Sequence, residues 1–287
     1  MIDLHIHSNY SAGTDTIAEI LQKANHLNLS HISITDHNSV ENYREVLANR
    51  DMFKGKIIPG VEFTSYYHNE LIDILAYGFN IDKLDKLIKK HILSFEERRN
   101  KEVKMLTKHY KKLGFTIGEI TFLHDKEISL KAFFRNFVSF PENLAKFNET
   151  LTFKEFSRNY LFNSKSPLFV DFSKSFPSLK KLIKIIHKAG GLAFLAHPYM
   201  YHIDVVKSLE DLFDKYPLDG IECFHTTFND HQINALNLFA KEHALYKSGG
   251  SDYHGQNKIN HQLKNGNGDL HISVATINEW LITEMLI

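Results

Sequence analysis

The feature that most constrains this chain is a set of short segments with histidine or a carboxylic acid at or near the end of an apolar run. Five such segments occur along the sequence: Asp3-Leu4-His5-Ile6-His7, Thr35-Asp36-His37, Gly60-Val61-Glu62-Phe63, Ala196-His197-Pro198 and Gly250-Ser251-Asp252-Tyr253-His254. A buried imidazole or carboxylate costs free energy unless it meets a partner or a metal ion. Any one segment has an ordinary explanation, such as a helix cap at Asp36-His37. Together the five predict a shared polar site.

Short strands and helices alternate along much of the chain. The pattern predicts strands at Ile2–His7, Ile32–Thr35, Lys56–Phe63, Leu71–Tyr77, Leu192–Ala196 and Gly220–Phe224, and a helix from Thr16 capped by Thr14 or Asp15. This alternation is typical of an α/β fold in which crossovers join parallel strands. In such folds the carboxyl ends of the strands face the active site, so we expect the polar segments to meet there.

The middle of the sequence has a different character. Residues 82–113 are highly charged with a helical period, and residues 116–162 are rich in Phe and Lys without clear strands. We therefore predict an inserted helical subdomain at 94–165, with 1–93 and 166–287 forming the main α/β domain. The alternative is that these helices are long crossovers of the main domain.

Composition excludes several classes of protein. Lys and Arg number 34, as do Asp and Glu, so a strongly basic nucleic-acid-coating protein is disfavoured. The single cysteine, Cys223, permits no intramolecular disulfide. No apolar run approaches the roughly 20 residues that span a bilayer, and the N-terminus lacks the pattern of a signal peptide. We therefore expect a cytoplasmic protein without a membrane segment, and no motif indicates a protein partner.

The His5-Ile6-His7 segment favours a metal site. Side chains alternate along a strand, so His5 and His7 project to the same side and can meet one ion. The alternative is a pair of core histidines satisfied by hydrogen bonds. Imidazole and carboxylate ligands without a thiolate suit Zn, Mn or Fe.

As an ordered set, the five segments resemble the PHP (polymerase and histidinol phosphatase) superfamily. They are most similar to its stand-alone metal-dependent phosphoesterases, which include nucleoside 3′,5′-bisphosphate phosphatases and 5′→3′ exoribonucleases. The resemblance covers about residues 1–93 and 155–287, and it includes Asp219-Gly220-Ile221-Glu222. It implies an α/β fold of a particular kind, a distorted (β/α)7 barrel with a helical insertion. It also implies two to three divalent ions at the carboxyl ends of the strands.

The resemblance assigns metal ligands residue by residue. One ion would be held by His5, His7, Glu62 and Asp252. Glu62 would bridge to a second ion that also uses His197, while His37 and His254 would belong to a third.

Two positions depart from the family pattern. Ala12 stands where the family usually has an acid or histidine, and the nearby Asp15 is the closest carboxylate in sequence. Asp73 stands where the family usually has histidine, and its carboxylate could replace that imidazole as a ligand. The third metal site is therefore the least supported, and the added carboxylate tilts the expected metal toward Mn.

The resemblance also suggests roles in substrate binding and proton transfer. Asp252, His254 and His197 would assist proton transfer. Arg98 and Arg99 would bind phosphate, as arginines of the family's insertion do, although they would equally suit a solvated helix face. Lys174 would compensate for a missing basic residue, and His225 would line the mouth of the site.

Three hypotheses of function follow. The favoured one is metal-assisted hydrolysis of phosphate esters of nucleotides or short oligonucleotides. The second is a small-molecule phosphatase of the histidinol-phosphate type. The third is a non-catalytic PHP module with a degraded site, which the residues at Ala12 and Asp73 keep open.

Overall fold

The computed structural model describes residues 1–68, 70–147, 151–201 and 205–287, and it has a mixed α/β fold. The chain forms two compact units. Unit 1 comprises residues 1–67, 71–91 and 178–287, and unit 2 comprises residues 68–70 and 92–177. Residues 148–150, which fall inside the predicted insertion, lie outside the described residues.

The strands form two sheets. They are β1 (Ile2–Ile6), β2 (His31–Ile34), β3 (Lys56–Ile57), β4 (Gly60–Tyr67), β5 (Glu70–Tyr77), β6 (Leu192–Leu195), β7 (Gly220–His225) and β8 (Tyr246–Gly250). One sheet has the order β1-β2-β3 and the other the order β4-β5-β6-β7-β8. The α/β class is thereby confirmed. The described strands form no closed sheet, so the seven-unit barrel stays a prediction.

Strand β5 departs from the predicted parallel arrangement. It pairs with β6 in antiparallel fashion, whereas β1–β2, β2–β3, β6–β7 and β7–β8 are parallel pairs. Only two residues separate β4 from β5, which is too short for a crossover, so the chain reverses direction at β5.

Isolated bridges connect the two sheets at two points. Ile6 bridges to Tyr253 just beyond β8, and His37 beyond β2 bridges to Glu62 of β4. Both bridges include or adjoin the polar segments singled out in the sequence. The backbone therefore places the segment after β2 beside strand β4, and the segment after β8 beside strand β1.

Local sequence signals explain most element ends in unit 1, with two corrections. The predicted strand at 56–63 is split into β3 and β4 because Pro59 has no N–H to donate to a ladder. The first helix is capped by Thr16 and Glu19 in a capping box rather than by Thr14 or Asp15. Gly190 follows the end of the helix Leu179–Lys188 with φ +85°, a conformation that suits glycine.

Helices of unit 1 flank these strands in the chain. They are α1 (Ile17–His26), α2 (Tyr43–Ala48), α3 (Ile81–His91), α8 (Leu179–Lys188), α9 (Val205–Lys215) and α10 (Asp230–Glu242). Its apolar core includes Ile2 and Leu4 of β1, together with Tyr77, Phe194 and Trp280. Side chains alternate along a strand. Because Leu4 packs in the core, the next residue, His5, faces the opposite side of β1.

Unit 2 is helical and has its own core. Its helices are α4 (Phe95–Lys112), α5 (Ser129–Val138), α6 (Pro141–Leu144) and α7 (Phe153–Glu155), and a π-helical turn follows at Phe156–Leu161. Helix α4 begins at a capping box formed by Ser94 and Glu97. Across the described part of both units, no helix is long and apolar enough to cross a membrane.

Candidate metal centre

Glu62 lies at the middle of a cluster of imidazoles in unit 1. Its Oε2 is 3.4 Å from His5 Nε2, 3.1 Å from His7 Nε2 and 3.1 Å from His37 Nδ1. Its Oε1 is 2.9 Å from His197 Nε2. The side chain is almost completely buried. One carboxylate therefore faces four of the histidines that the sequence singled out.

Asp252 is the second carboxylate of the cluster. Its Oδ1 lies 3.6 Å from His5 Nε2, 3.4 Å from His7 Nε2 and 3.4 Å from His254 Nδ1. Asp252 is the second residue after β8, and its φ of +54° lies in the left-handed region. His197 also has positive φ, at +24°. Such strain at non-glycine residues persists only where surrounding structure holds it, and it is common at functional sites.

Four groups of three residues bring possible ligand atoms within 4.8 Å of one another: His5 with Glu62 and His197, His5 with His7 and Asp252, His7 with His37 and His254, and His225 with Asp252 and His261. The first three groups contain only residues that the sequence proposed as ligands. Their roles as ligands stay predictions, but the structure does bring their side chains together.

Hydrogen bonds orient two of these imidazoles toward the centre. His5 Nδ1 lies 2.9 Å from Glu222 Oε1, so Nδ1–H donates to that carboxylate. His254 Nδ1 lies 2.8 Å from the carbonyl oxygen of Asp252, which can only accept, so Nδ1 carries the proton there too. In its neutral form, each ring then presents the lone pair of its Nε2, as metal-binding histidines do.

His7 is oriented through a relay of two side chains. Ser11 Oγ donates to Asp36 Oδ1 at 2.5 Å, and His7 Nδ1 lies 3.4 Å from that same Ser11 oxygen. The Ser11 oxygen is therefore free to accept from His7 Nδ1–H, which leaves the His7 Nε2 lone pair for the centre. Asp36 thus supports His7 instead of joining the cluster itself.

Several buried atoms of the cluster have no hydrogen-bond partner within the described residues: His5 Nε2, His7 Nε2, Glu62 Oε2 and His197 Nδ1. Leaving such atoms unsatisfied costs roughly 1–3 kcal/mol each. Three of the four atoms lie close together, because Glu62 Oε2 is 3.4 Å from His5 Nε2 and 3.1 Å from His7 Nε2. A divalent cation would satisfy them together, so the residues present fit a metal centre.

Burial and the carboxylates of the cluster shift the pKa values of its imidazoles in opposite directions. Burial lowers the pKa of His254 to about 3, so its ring is neutral at pH 7. Burial alone would raise the pKa of Glu62, but His5 and His37 hold it well below its usual value.

At three other rings carboxylates overcome the effect of burial. The pKa of His5 is raised well above its usual value by Glu222 and Glu62, and the pKa of His7 is raised by Asp252 and Glu62. Glu62 and Asp73 raise the pKa of His197 to about 9. Metal binding at His197 would therefore release a proton.

The two positions that depart from the family pattern have distinct surroundings. Asp73 Oδ2 lies 3.9 Å from His197 Nε2, and burial and the charge of Glu62 raise the pKa of Asp73 to about 6. Asp73 belongs to none of the four groups of possible ligands. Asp15 accepts hydrogen bonds from Lys23 and from the Tyr253 hydroxyl, both at 2.5 Å, so it does not take the place of the acid missing at Ala12.

The predicted substrate-binding cations Arg98 and Arg99 belong to unit 2. Arg98 lies over the ring of Phe176, with Cζ 5.1 Å from the ring centroid. Arg99 lies over Phe122 at 3.9 Å and donates to the carbonyl oxygen of Asp125. Their role in binding substrate stays a prediction.

Lys174 and His225 complete the predicted substrate-binding set. In unit 2 the carbonyl oxygen of Lys174 accepts from Lys101 Nζ. In unit 1 the His225 side chain is fully buried, with Nε2 3.5 Å from Asp252 Oδ2. His225 therefore lies beside the cluster, while its role toward substrate stays a prediction.

Three residues that contact the cluster were not proposed from the sequence. Glu222 holds His5 through Oε1, and its Oε2 accepts from the backbone N–H of His197 at 2.8 Å. An acid inside the apolar run of β7 was the available signal, the same signal that drew attention to Glu62. Lys258 and His261 approach Asp252 Oδ2 from the segment after β8, at 2.6 Å and 3.5 Å, and no local pattern marks them.

The fold and this site place the chain in a known class. The family model for the PHP domain matches residues 3–232, and the chain therefore belongs to the PHP domain family. It is also similar in fold to an amidohydrolase from Chromobacterium violaceum determined with bound SO4. That likeness has a TM-score of 0.66 and 23% identity, and it covers 89% of this chain and 88% of the other.

Two curated relatives are similar over most of their length. The 5′-3′ exoribonuclease Rnm of Escherichia coli is 25% identical over 260 residues, which are 88% of this chain and 84% of that protein. The 3′,5′-nucleoside bisphosphate phosphatase of Chromobacterium violaceum is also 25% identical over 260 residues, covering 88% of this chain and 87% of that protein. The two relatives are equally similar to this chain but are named for different substrates.

Proposed function

We propose that this chain is a divalent-metal-dependent phosphoesterase that hydrolyses phosphate esters of nucleotides or short oligonucleotides. The observation that carries the proposal is the buried cluster in which Glu62 and Asp252 face His5 and His7, whose Nε2 atoms have no hydrogen-bond partner among the described residues. Membership of the PHP domain family and the named activities of both relatives support the same reaction class.

The proposal includes two to three divalent ions, of Mn, Zn or Fe. The residues that would hold them are His5, His7, His37, Glu62, Asp73, His197, Asp252 and His254. Divalent ions bound there would supply Lewis-acid stabilisation of the charge on phosphate oxygens. Of the proposed ligands, Asp73 has the weakest geometric support, because it contacts the cluster only near His197.

Other residues of the site orient these proposed ligands. Glu222 fixes the ring of His5 through one oxygen and the backbone of His197 through the other. The Ser11–Asp36 pair fixes His7. We assign proton transfer to Asp252, His254 and His197, all of which lie within the cluster. Phosphate binding by Arg98, Arg99, Lys174 and His225 also remains part of the proposal.

The proposal has a finer architectural part. We infer that unit 1 is a distorted barrel of about seven βα units, with the helical segment 94–165 inserted into it. The bridges Ile6–Tyr253 and His37–Glu62 support this reading, because they connect the two sheets where a barrel would close.

A substrate panel tests the proposed reaction. Folded protein is supplied with Mn²⁺, and phosphate release is measured from adenosine 3′,5′-bisphosphate, a short 5′-phosphorylated RNA and histidinol phosphate. We expect release from the nucleotide or the RNA. Release from histidinol phosphate alone would reassign the chain to the small-molecule branch. No release from any of the three by protein with at least one bound ion per chain would contradict the proposed substrates.

A further inference from the structure

The two oxygens of Asp252 face different neighbours. Oδ1 faces the imidazoles of His5, His7 and His254 at 3.4–3.6 Å. Oδ2 faces Lys258 Nζ at 2.6 Å, and His225 Nε2 and His261 Nδ1 at 3.5 Å each. The carboxylate therefore separates the candidate metal centre from a second group of side chains.

Hydrogen bonds show that the second group is a set of donors. The backbone N–H of Thr227 donates to His225 Nδ1 at 3.2 Å, so in the neutral ring the proton is on Nε2, which faces Asp252. His261 Nδ1 lies 3.2 Å from the carbonyl oxygen of Asp252, which can only accept, so Nδ1 carries a proton as well. A protonated ring nitrogen has no lone pair for a metal, so this group is not a further metal site. The Nε2–H of His225 faces Oδ2 at 3.5 Å, and the Nδ1–H of His261 lies between the carbonyl oxygen of Asp252, at 3.2 Å, and Oδ2, at 3.5 Å.

Lys258 differs from the two imidazoles in its freedom to move. Its side chain is 36% exposed, whereas those of His225 and His261 are 0% and 13% exposed. It is a lysine on the segment that follows the short helical turn at Gly255–Asn257. Because the two imidazoles also face Oδ2, the ammonium group can leave Asp252 without isolating a buried carboxylate.

Charge determines which partner the ammonium group of Lys258 binds. The carboxylate of Asp252 is its partner in this structure. Divalent cations held by the cluster would share the negative charge of Asp252 and weaken its attraction for the ammonium group. A phosphate group brings up to two negative charges and several strong acceptor oxygens, and lysine is a common partner for phosphate.

We infer that Lys258 is a phosphate-binding residue of this centre, which is held on Asp252 Oδ2 until a phosphate group replaces that carboxylate as its partner. This inference rests on the proposed function, and it identifies the recognised group as a phosphate mono- or dianion. It adds a cation from unit 1 itself to the site.

The experiment measures phosphate binding apart from turnover. Protein loaded with Mn²⁺ is titrated with inorganic phosphate by isothermal calorimetry, and bound metal is counted by inductively coupled plasma mass spectrometry. Lys258→Met removes the charge and Lys258→Arg keeps it. Lys241→Met, at an exposed lysine of α10, is the matched control.

We expect Lys258→Met to bind phosphate at least about tenfold more weakly than wild type, with unchanged metal content, because it loses one charge-assisted hydrogen bond. Lys258→Arg should remain within about threefold, and Lys241→Met should match wild type. Equal phosphate affinity of wild type and Lys258→Met would overturn the inference. A parallel loss of metal would also overturn it, because Lys258 would then act only by positioning Asp252.

The outcomes separate this inference from the proposed function. Ester hydrolysis by wild type, together with unchanged phosphate affinity in Lys258→Met, removes the role of Lys258 and leaves the phosphoesterase standing. Weakened phosphate binding in the variant supports Lys258 even if no ester of the panel is hydrolysed. Absence of phosphate binding by metal-loaded wild type overturns the inference directly.

Discussion

At the centre of unit 2 aromatic rings contact one another, whereas the cluster in unit 1 consists of imidazoles and carboxylates. In unit 2 the rings of Tyr110 and Phe133 have centroids 4.8 Å apart, and those of Phe137 and Phe156 are 5.2 Å apart. The buried Tyr110 hydroxyl donates to the carbonyl oxygen of Leu168. Its polar group is satisfied, and the residues that pack with it in this cluster, such as Phe133, Phe137 and Phe156, are apolar.

The cluster in unit 1 has the opposite property. It is as deeply buried, yet within the described part of the chain atoms such as His5 Nε2 and Glu62 Oε2 have no hydrogen-bond partner. Unit 2 gains stability from its aromatic core, whereas the cluster in unit 1 leaves candidate ligand atoms unsatisfied. The contrast shows that burial indicates a functional site when the buried groups are polar and lack hydrogen-bond partners. Substitutions in the two units should accordingly affect different measurements.

The largest effect is expected from Asp252→Asn. The amide cannot supply a charged ligand, so we expect phosphoesterase activity to fall about a thousandfold, or about 4 kcal/mol. Activity and bound metal are measured together, with circular dichroism to show equal folding. Asp214→Asn, at an exposed position of α9, is the control. Near-wild-type activity in folded Asp252→Asn would remove Asp252 from the site.

Phe156→Ala tests the aromatic core of unit 2. Phe156 is completely buried in the aromatic core, so truncation should cost about 3–5 kcal/mol of the free energy of unfolding. Urea denaturation measures this loss, while metal per folded chain should not change. Leu123→Ala, where the native side chain is 73% exposed, should stay within about 0.5 kcal/mol. Loss of metal from folded Phe156→Ala would break the proposed division of roles.

Glu222→Gln probes the support of the cluster. In the wild-type protein the carboxylate of Glu222 orients both His5 and the backbone of His197. The amide of the variant can accept only one of these hydrogen bonds. We expect metal affinity to weaken about 10–100-fold, as measured by calorimetry. The control is Glu242→Gln, at the exposed end of α10. Unchanged affinity would show that His5 keeps its orientation without Glu222.

The smallest effect is expected from Asp15→Asn, which separates a structural acid from a ligand. Lys23 and Tyr253 overcome the effect of burial and lower the pKa of Asp15. A lowered pKa stabilises the fold above the unfolded value of about 4, and this stability is lost as pH falls through the folded value. We expect a loss of about 1 kcal/mol at pH 7 that shrinks toward pH 3 in urea denaturation, with metal content unchanged. A fall in metal content would instead make Asp15 a substitute for the acid missing at Ala12.

Local periodicity was enough to find much of the site. The i, i+2 spacing of His5 and His7 on a strand put both rings on one side, and the structure has them 5.2 Å apart, centroid to centroid. The acid at Glu62 inside an apolar run was conspicuous because such a group needs a partner. The same logic applied to Glu222, which the sequence analysis included in the resemblance without assigning it a role.

Other features were beyond local reasoning. The reversal at β5 is an exception to the parallel pairing predicted from alternation, and Pro59 divided one predicted strand into two. The cap of α1 was misplaced by one or two residues because Thr14, Asp15 and Thr16 are all good capping residues. The boundary of the inserted segment at 94–165 remains a prediction.

The sequence by itself determined which chemical groups are available and on which side of a strand His5 and His7 lie, because the pleat repeats every two residues. Tertiary structure decided which groups meet. His5 and Glu222 are 217 positions apart, and Lys258 reaches Asp252 through the conformation of an irregular segment. Strand pairing and loop conformation set such distances, and neither leaves a periodic signal in the residues concerned.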